Sequence, residues 1–273
     1  MCELLGLSSN LPAKLSISLE RLAEHGAPPT SIRDGWGLAF YEDADVRLIK
    51  DAGAANDSDW LRFVSQHELR SHIVLAHIRK ATMGVPSYRN AQPFAREVAG
   101  RMHCFAHNGW LPEILDTPAF GSSRFAPIGE TDSEQAFCAL LERLSVIWVR
   151  AGECPPLDDR LNIVASFAIE LRRLGPANFL YSDGDVLFAH GDRRKSPFTG
   201  KVAAPGLVYL LHECPPAGAT ITGNGLSVTA LDQAVALIAS VPLSAEPWQE
   251  MTEGEVTVFR GGRIVDKRVA PNG

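Results

Sequence analysis

Basic charge is what this sequence most conspicuously lacks. Its 26 Lys and Arg are outnumbered by 32 Asp and Glu, for a formal net charge of −6. No electrostatic basis therefore exists for a nucleic-acid or anionic-membrane partner. The short basic run Arg193-Arg194-Lys195 reads as a solvated turn. Long apolar runs are missing as well: the longest uncharged stretch, Cys214 to Leu231, is too rich in Gly, Pro and Thr to span a bilayer. The opening Met1-Cys2-Glu3-Leu4-Leu5 has no basic region, and its apolar stretch gives out at Ser8, Ser9 and Asn10, so no secretory signal is expected and a cytoplasmic protein is. Cysteine is scarce. Five, at the irregular positions 2, 104, 138, 154 and 214, argue against a disulfide framework and for reduced thiols. Internal repeats and low-complexity linkers are absent too.

What is present suits a folded globule. Hydrophobic residues make up 45% of the 273-residue chain and charged residues 21%, enough to bury a sizeable core. Glu3–Leu7 reads as a short buried strand. Lys14–His25 carries Leu15, Leu19 and Leu22 at helical spacing before Gly26, which predicts a helix. Trp36–Tyr41 and Val46–Ile49 read as a strand pair, and Ser58–Val64 as a short helix. Ser71–Ile78 and Arg101–Ala106 are strands, each ending in a polar cluster, with an ordered loop over Met83–Arg96 between them. Thr131 and Glu134 have capping-box spacing ahead of an apolar face of Phe137, Leu140, Leu141, Leu144 and Trp148, and a second helix covers Leu157–Leu174. The remainder is strand-rich: Phe179–Tyr181, Val186–Ala189, Leu207–Leu211, Val235–Ala239, Val256–Phe259 and Arg263–Val269. Strands, two helices and strands again predict an α+β layered fold, with Cys154-Pro155-Pro156 an internal turn rather than a domain boundary.

The chemistry starts at Cys2. Removal of Met1 would make it the N-terminus, placing a thiol and an α-amine on one residue. A thiol attacks well only as thiolate and needs a proton acceptor, and an α-amine with a reference pKa of about 7.7–8.0 is poised to be one. Three further segments carry polar residues at element ends: Ala76-His77-Ile78-Arg79-Lys80-Ala81-Thr82, Ala106-His107-Asn108-Gly109 and Gly129-Glu130-Thr131-Asp132-Ser133-Glu134. Taken singly, Arg79 reads as a surface ion-pair residue, Asn108-Gly109 as a type I′ turn and Asp132 as a helix-dipole partner.

In this order behind a second-position cysteine, with Arg33-Asp34-Gly35-Trp36-Gly37 and Glu246-Pro247-Trp248 besides, they resemble the glutaminase domain of class II glutamine amidotransferases. That family belongs to the N-terminal-nucleophile hydrolases, and the similarity is greatest to its stand-alone bacterial members. The resemblance implies a four-layer αββα sandwich, α+β in class, as one domain over residues 1–273 whose mature chain starts at Cys2. It implies Cys2 as nucleophile, Asn108 and Gly109 as oxyanion hole, Arg79 with Thr82 on the substrate carboxylate, Asp132 on its ammonium, and Trp36 with Gly37 near the nucleophile. The expected reaction is hydrolysis of the side-chain amide of glutamine or a related γ-glutamyl compound through a Cys2 thioester, with no metal or organic cofactor. Full amidotransferases couple this domain to a synthase domain. The present length is expected to leave no room for one, so a separate ammonia-accepting enzyme is one arrangement, direct hydrolysis another, and homo-oligomer formation stays open.

One departure stands out: many relatives have Asn-x-His-Pro where this chain has Asn90-Ala91-Gln92-Pro93, and Gln92 can hydrogen-bond but cannot titrate. Three alternatives compete with this reading. His103, Cys104 and His107 suggest a metal site, but strand alternation puts Cys104 on the face opposite both histidines. A Cys-His hydrolase built on Cys104, Cys138 or Cys214 lacks a signature, those residues sitting in apolar or Pro-rich settings. A non-catalytic binder of γ-glutamyl metabolites would need Arg79 and Asp132 alone.

Overall fold

The computed structural model describes residues 2–17, 34–54, 58–67, 69–80, 83–196, 199–223 and 226–269. Alternation of apolar side chains builds its first layers. In β1 (Glu3–Ile17), Leu5 and Leu7 point to one face and Leu4 to the other, and the same division runs through β2 (Trp36–Glu42), β3 (Asp45–Asp51) and, after helix α1 (Asp59–Gln66), β4 (Arg70–Ile78). Next come β5 (Phe94–Val98), β6 (Arg101–Gly109), helices α2 (Asp132–Leu144) and α3 (Leu157–Leu171), β7 (Ala177–Ser182) and β8 (Leu187–Gly191). A small ribbon of β9 (Arg194–Lys195) and β10 (Val202–Ala203) precedes β11 (Val208–Cys214), β12 (Ala219–Gly223), β13 (Leu226–Ala230) and β14 (Gln233–Ala239). The chain ends with β15 (Gln249–Glu250), β16 (Glu255–Arg260) and β17 (Arg263–Val269).

Two antiparallel sheets stack. The nine-stranded one has the order β15-β11-β14-β1-β4-β2-β3, with β13 on the far half of β1 and β12 beside it; the six-stranded one runs β17-β16-β8-β7-β6-β5. Between them lies an apolar layer that includes Leu4, Leu75, Ala106, Leu180 and Ile238. Helices α2 and α3 cover the other face of the smaller sheet, where Phe137, Leu140 and Phe167 meet Phe105 and Phe179. Each fully buried aromatic of this kind contributes about 1.5–3 kcal/mol relative to exposure. On the outer face of the larger sheet, Val64 of α1 joins Leu5, Leu7, Val74 and Leu237. The result is an α+β fold in four layers, αββα.

Half of the capping box is formed: the Thr131 hydroxyl accepts the Glu134 N–H at 3.2 Å, a cap contributing about 1 kcal/mol, while the Glu134 carboxylate accepts the Gly129 N–H at 2.7 Å in place of that of Thr131. Several expectations need correction. Lys14–Ile17 belong to β1, because Ala13 and Leu15 are buried with period two and pair against β4 and β13; the rest of the predicted helix lies outside the described residues. The strand does not stop at Leu7, since the buried Ser9 hydroxyl donates to the Leu11 and Ser71 carbonyls and so satisfies itself within the sheet. The predicted loop over Met83–Arg96 ends in β5, and the β12–β13 hairpin emerges from a stretch whose Gly and Thr content obscured it. Arg194 is not a solvated turn residue but is 9% exposed. Among the described residues, no helix is long and apolar enough to cross a membrane, and no cluster of His, Cys, Asp or Glu could hold a metal.

Candidate active site

The N-terminal end of β1 lies against the C-terminal end of β4, since Glu3 pairs with Ile78 and Leu4 with His77. This antiparallel register sets Cys2 beside the residues that leave β4. Its thiol donates to the Lys80 carbonyl at 3.3 Å, and its sulfur accepts the Lys80 N–H at 3.2 Å. Burial pushes the thiol pKa up, while the Lys80 backbone contact and the nearby Arg79 charge pull it back down. A thiol raised in this way carries little free thiolate at neutral pH and depends on a local acceptor for its proton.

Arg79 follows directly from β4 and is buried. Its guanidinium donates from Nη1 to the Asp34 carbonyl at 2.9 Å and from Nη2 to the Met83 and Gly84 carbonyls at 2.7 and 2.9 Å, with a long Nη1 contact of 3.5 Å to the Val85 carbonyl. Burial lowers its pKa, and the charges of Cys2, Asp34 and Asp132 oppose that shift. Asn108 and Gly109 end β6, in the other sheet. The Asn108 Nδ2 donates to the Cys2 carbonyl oxygen at 2.6 Å and to Ser240 Oγ at 3.3 Å, while its own carbonyl accepts from Asn178 Nδ2 at 3.1 Å. Position 109 requires glycine, because a Cβ there would overlap the Pro176 carbonyl oxygen and His107 Nε2. The Asn-Gly pair is thus the end of a paired strand, not an isolated type I′ turn.

Asp132 opens α2, where carboxylates are favoured by the helix dipole. Its Oδ2 accepts the Leu111 N–H at 2.9 Å and its Oδ1 the Ser133 N–H at 2.8 Å. Leu111 lies two residues past Gly109, so this bond ties the helix start to the end of β6. Behind it, Ser133 Oγ is 2.9 Å from His107 Nδ1; burial lowers the His107 pKa and the Asp132 charge opposes this. Cys2, Arg79, Asn108, Gly109 and Asp132 are therefore brought to one place from four separate segments. Trp36 is different. Its indole is fully buried within the core on the α1 side of the larger sheet, a supporting position beneath the site rather than one open to a ligand. Gly37 pairs with His77, and a Cβ on it would overlap the Gln92 carbonyl oxygen. Thr82 lies outside the described residues.

The departure at Gln92 has a structural role. Its Oε1 accepts the His107 N–H at 2.6 Å, fastening the loop before β5 to the strand that presents Asn108. Sequence reasoning passed over four further residues at the site. His77 is buried with both ring nitrogens unpartnered, and burial beside His107 and Arg79 pulls its pKa down to about 3, so it is neutral. Ser240, Glu3 and Arg194 form a hydrogen-bonded group behind Asn108. Only the basic run at 193–195 gave any hint of the last, and composition pointed that hint to solvent.

A profile of the Glutamine amidotransferases class-II family matches residues 1–272. The YafJ protein of Escherichia coli (strain K12) is 35% identical over 274 residues, covering 97% of this chain and 100% of that protein. A solved structure described as a predicted glutamine amidotransferase from Pseudomonas aeruginosa PA01 superposes with a TM-score of 0.71 at 31% identity, covering 97% of this chain and all of the other. A more distant relative, gamma-glutamyl-hercynylcysteine sulfoxide hydrolase of Mycobacterium tuberculosis (strain CDC 1551 / Oshkosh), is 30% identical over 139 residues, 49% of this chain and 54% of that protein.

Proposed function

The chain belongs to the class II glutamine amidotransferases, and we propose that it hydrolyses the side-chain amide of glutamine or a related γ-glutamyl compound through a thioester on Cys2. The whole of residues 1–273 acts as one glutaminase domain, with Met1 removed so that Cys2 carries the free α-amine. In this reading the amine takes the thiol proton, the sulfur attacks the side-chain carbonyl carbon, and the C–N bond breaks as the amine returns the proton to the departing nitrogen. Water then cleaves the thioester, freeing the carboxylate and the thiol.

The single observation that carries this reading is the Asn108 amide meeting the Cys2 residue from the opposite sheet. It puts a strong N–H donor beside the nucleophile, where charge develops on an attacked carbonyl oxygen, and Gly109 supplies the second donor from its backbone. The rest of the site suits the α-amino-acid end of the substrate. The planar fork of Arg79 meets the carboxylate, with Thr82 adding a hydroxyl, and the long Val85 contact is the one a charged acceptor most readily replaces. Asp132 meets the ammonium. Trp36 and Gly37 shape the floor of the site.

The leaving group is either ammonia, passed to a separate acceptor enzyme, or an amine or peptide, as the name of the mycobacterial relative suggests for that protein. A product-release screen tests the reading: purified protein, shown by intact mass to have lost Met1, is offered glutamine and a panel of γ-glutamyl amides and peptides. Release of glutamate from at least one of them, abolished in Cys2→Ala, is the expected result. Equal release by Cys2→Ala, or full activity in protein that retains Met1, overturns it. A non-catalytic γ-glutamyl binder would instead bind panel members without turnover.

A further inference from the structure

Behind the Asn108 amide lies a polar group that the mechanism above does not use. Ser240 follows β14 and is buried, and its backbone is locked to the strand of the nucleophile, its N–H donating to the Leu4 carbonyl at 3.1 Å. Its hydroxyl oxygen accepts twice, from Leu4 N–H at 3.0 Å and from Asn108 Nδ2 at 3.3 Å. Arg194 closes the group: Nη1 donates to the Ser240 carbonyl at 2.5 Å and Nη2 to Glu3 Oε1 at 2.9 Å. Glu3 is the residue after the nucleophile and is 2% exposed, with Oε2 unpartnered. A buried ion pair held in such a place is weak ground for stability and better ground for a geometric role.

We propose that Ser240, braced by the Glu3–Arg194 pair, is a positioning residue that holds the Asn108 side-chain amide with its NH₂ group, and not its oxygen, turned toward the nucleophile. The reasoning is one of donors and acceptors. An asparagine amide has nearly the same shape in its two orientations, so only its partners distinguish them. Here both partners of Nδ2, the Cys2 carbonyl and the Ser240 hydroxyl oxygen, are acceptors. Arg194 braces Glu3 Oε1 and the Ser240 carbonyl from the other side, which fixes Ser240 against the strand of the nucleophile. Turning the amide over would set Oδ1 against the Cys2 carbonyl oxygen, which has no proton to offer, and would take from the Ser240 hydroxyl oxygen its Nδ2–H donor. Ser240 thus holds one Nδ2–H, and the other, now on the Cys2 carbonyl, is turned toward the nucleophile, where substrate would draw it onto the oxyanion. When charge develops, the amide then has one hydrogen bond to shift rather than a rotation to make.

This inference rests on the reading of Asn108 as an oxyanion donor, and its test separates the two. Ser240→Ala, Ser240→Thr, Asn108→Ala and the double variant Ser240→Ala/Asn108→Ala are compared on the best substrate of the panel. Ser240→Ala should lower kcat about tenfold or more with KM within about twofold, and Ser240→Thr, which keeps the hydroxyl, should restore most of it. Adding Ser240→Ala to Asn108→Ala should cost nothing further, because residues acting through one group are not additive. In [15N]-Asn-labelled protein, the Asn108 side-chain NH₂ signals, identified by their loss in Asn108→Ala, should shift and exchange faster in Ser240→Ala. Independent, multiplicative losses, a folded Ser240→Thr as impaired as Ser240→Ala, or unmoved Asn108 signals overturn the proposal. If the wild-type protein turns over no panel member, the functional reading fails while the Asn108 signals still decide the positioning role.

Discussion

Asn108 of the six-stranded sheet donates its side-chain amide to the carbonyl of Cys2, which directly precedes β1 of the nine-stranded sheet, across 2.6 Å. The bond makes the separation of the proposed nucleophile and the proposed oxyanion donor a property of how the two sheets stack. Replacing Asn108 by Ala should therefore leave the fold and KM close to wild type while lowering kcat by about 10²–10³, the usual loss for one oxyanion donor. Steady-state kinetics on the folded variant checks it, and a kcat unchanged within twofold would contradict the assigned role.

Arg79 is embedded differently from a surface binding residue. It holds the Asp34, Met83 and Gly84 carbonyls as well as facing the site. Arg79→Ala should raise KM by about 10–100-fold, as expected for losing a charge-assisted hydrogen bond to a carboxylate. It should also lower the melting temperature by loosening those carbonyls. Arg79→Lys should fail to rescue KM, because a single ammonium cannot span the carbonyls and the substrate together. Asp132→Asn should raise KM with a smaller loss of stability than Arg79→Ala, since an amide keeps one acceptor for the Leu111 N–H and gives up only the one for Ser133 N–H.

The parts of this picture that were legible in the sequence are those written in local pattern. Period-two alternation gave the strands that carry Arg79 and Asn108, and Thr131 with Glu134 marked the helix that presents Asp132. What joins the sheets was not legible. Ser240 ends an apolar strand with no signal of its own, and Glu3 and Arg194 are 191 positions apart in the chain. Lys14 and Leu15 misled for a related reason: Leu15, Leu19 and Leu22 fit a helical period, whereas the pairing partners that make β1 continue through Ile17 come from β4 and β13. Partners that distant leave no periodic trace.

Gln92 should prove structural rather than acid–base. Its side-chain oxygen accepts the buried His107 N–H, so Gln92→Ala strands that donor and should cost about 1–3 kcal/mol in urea unfolding. The pH dependence of kcat should keep the same midpoints in Gln92→Ala as in wild type, because no titrating group is removed. A displaced midpoint would assign Gln92 an influence on the ionisation of the site.

Buried neutral histidines set the acid limit of the fold. Burial holds His77 down to about 3, and His103 and His190 each to about 4, against about 6.5 in an unfolded chain. Between those values the unfolded state binds protons that the native state refuses, so stability rises with pH there; it is fully present above about 6.5 and is lost as pH falls toward 4. Each histidine contributes a slope of up to about 1.4 kcal/mol per pH unit in that window. His190 provides the cleanest test, because it lies on the helix-covered face of β8, with Nδ1 3.1 Å from the Glu255 carbonyl, away from the nucleophile. In His190→Asn the drop in unfolding free energy between pH 6.5 and 5 should shrink by about the contribution of one proton, even if the variant is less stable at pH 7. Parallel stability curves for the two proteins would mean that His190 titrates normally in the folded state.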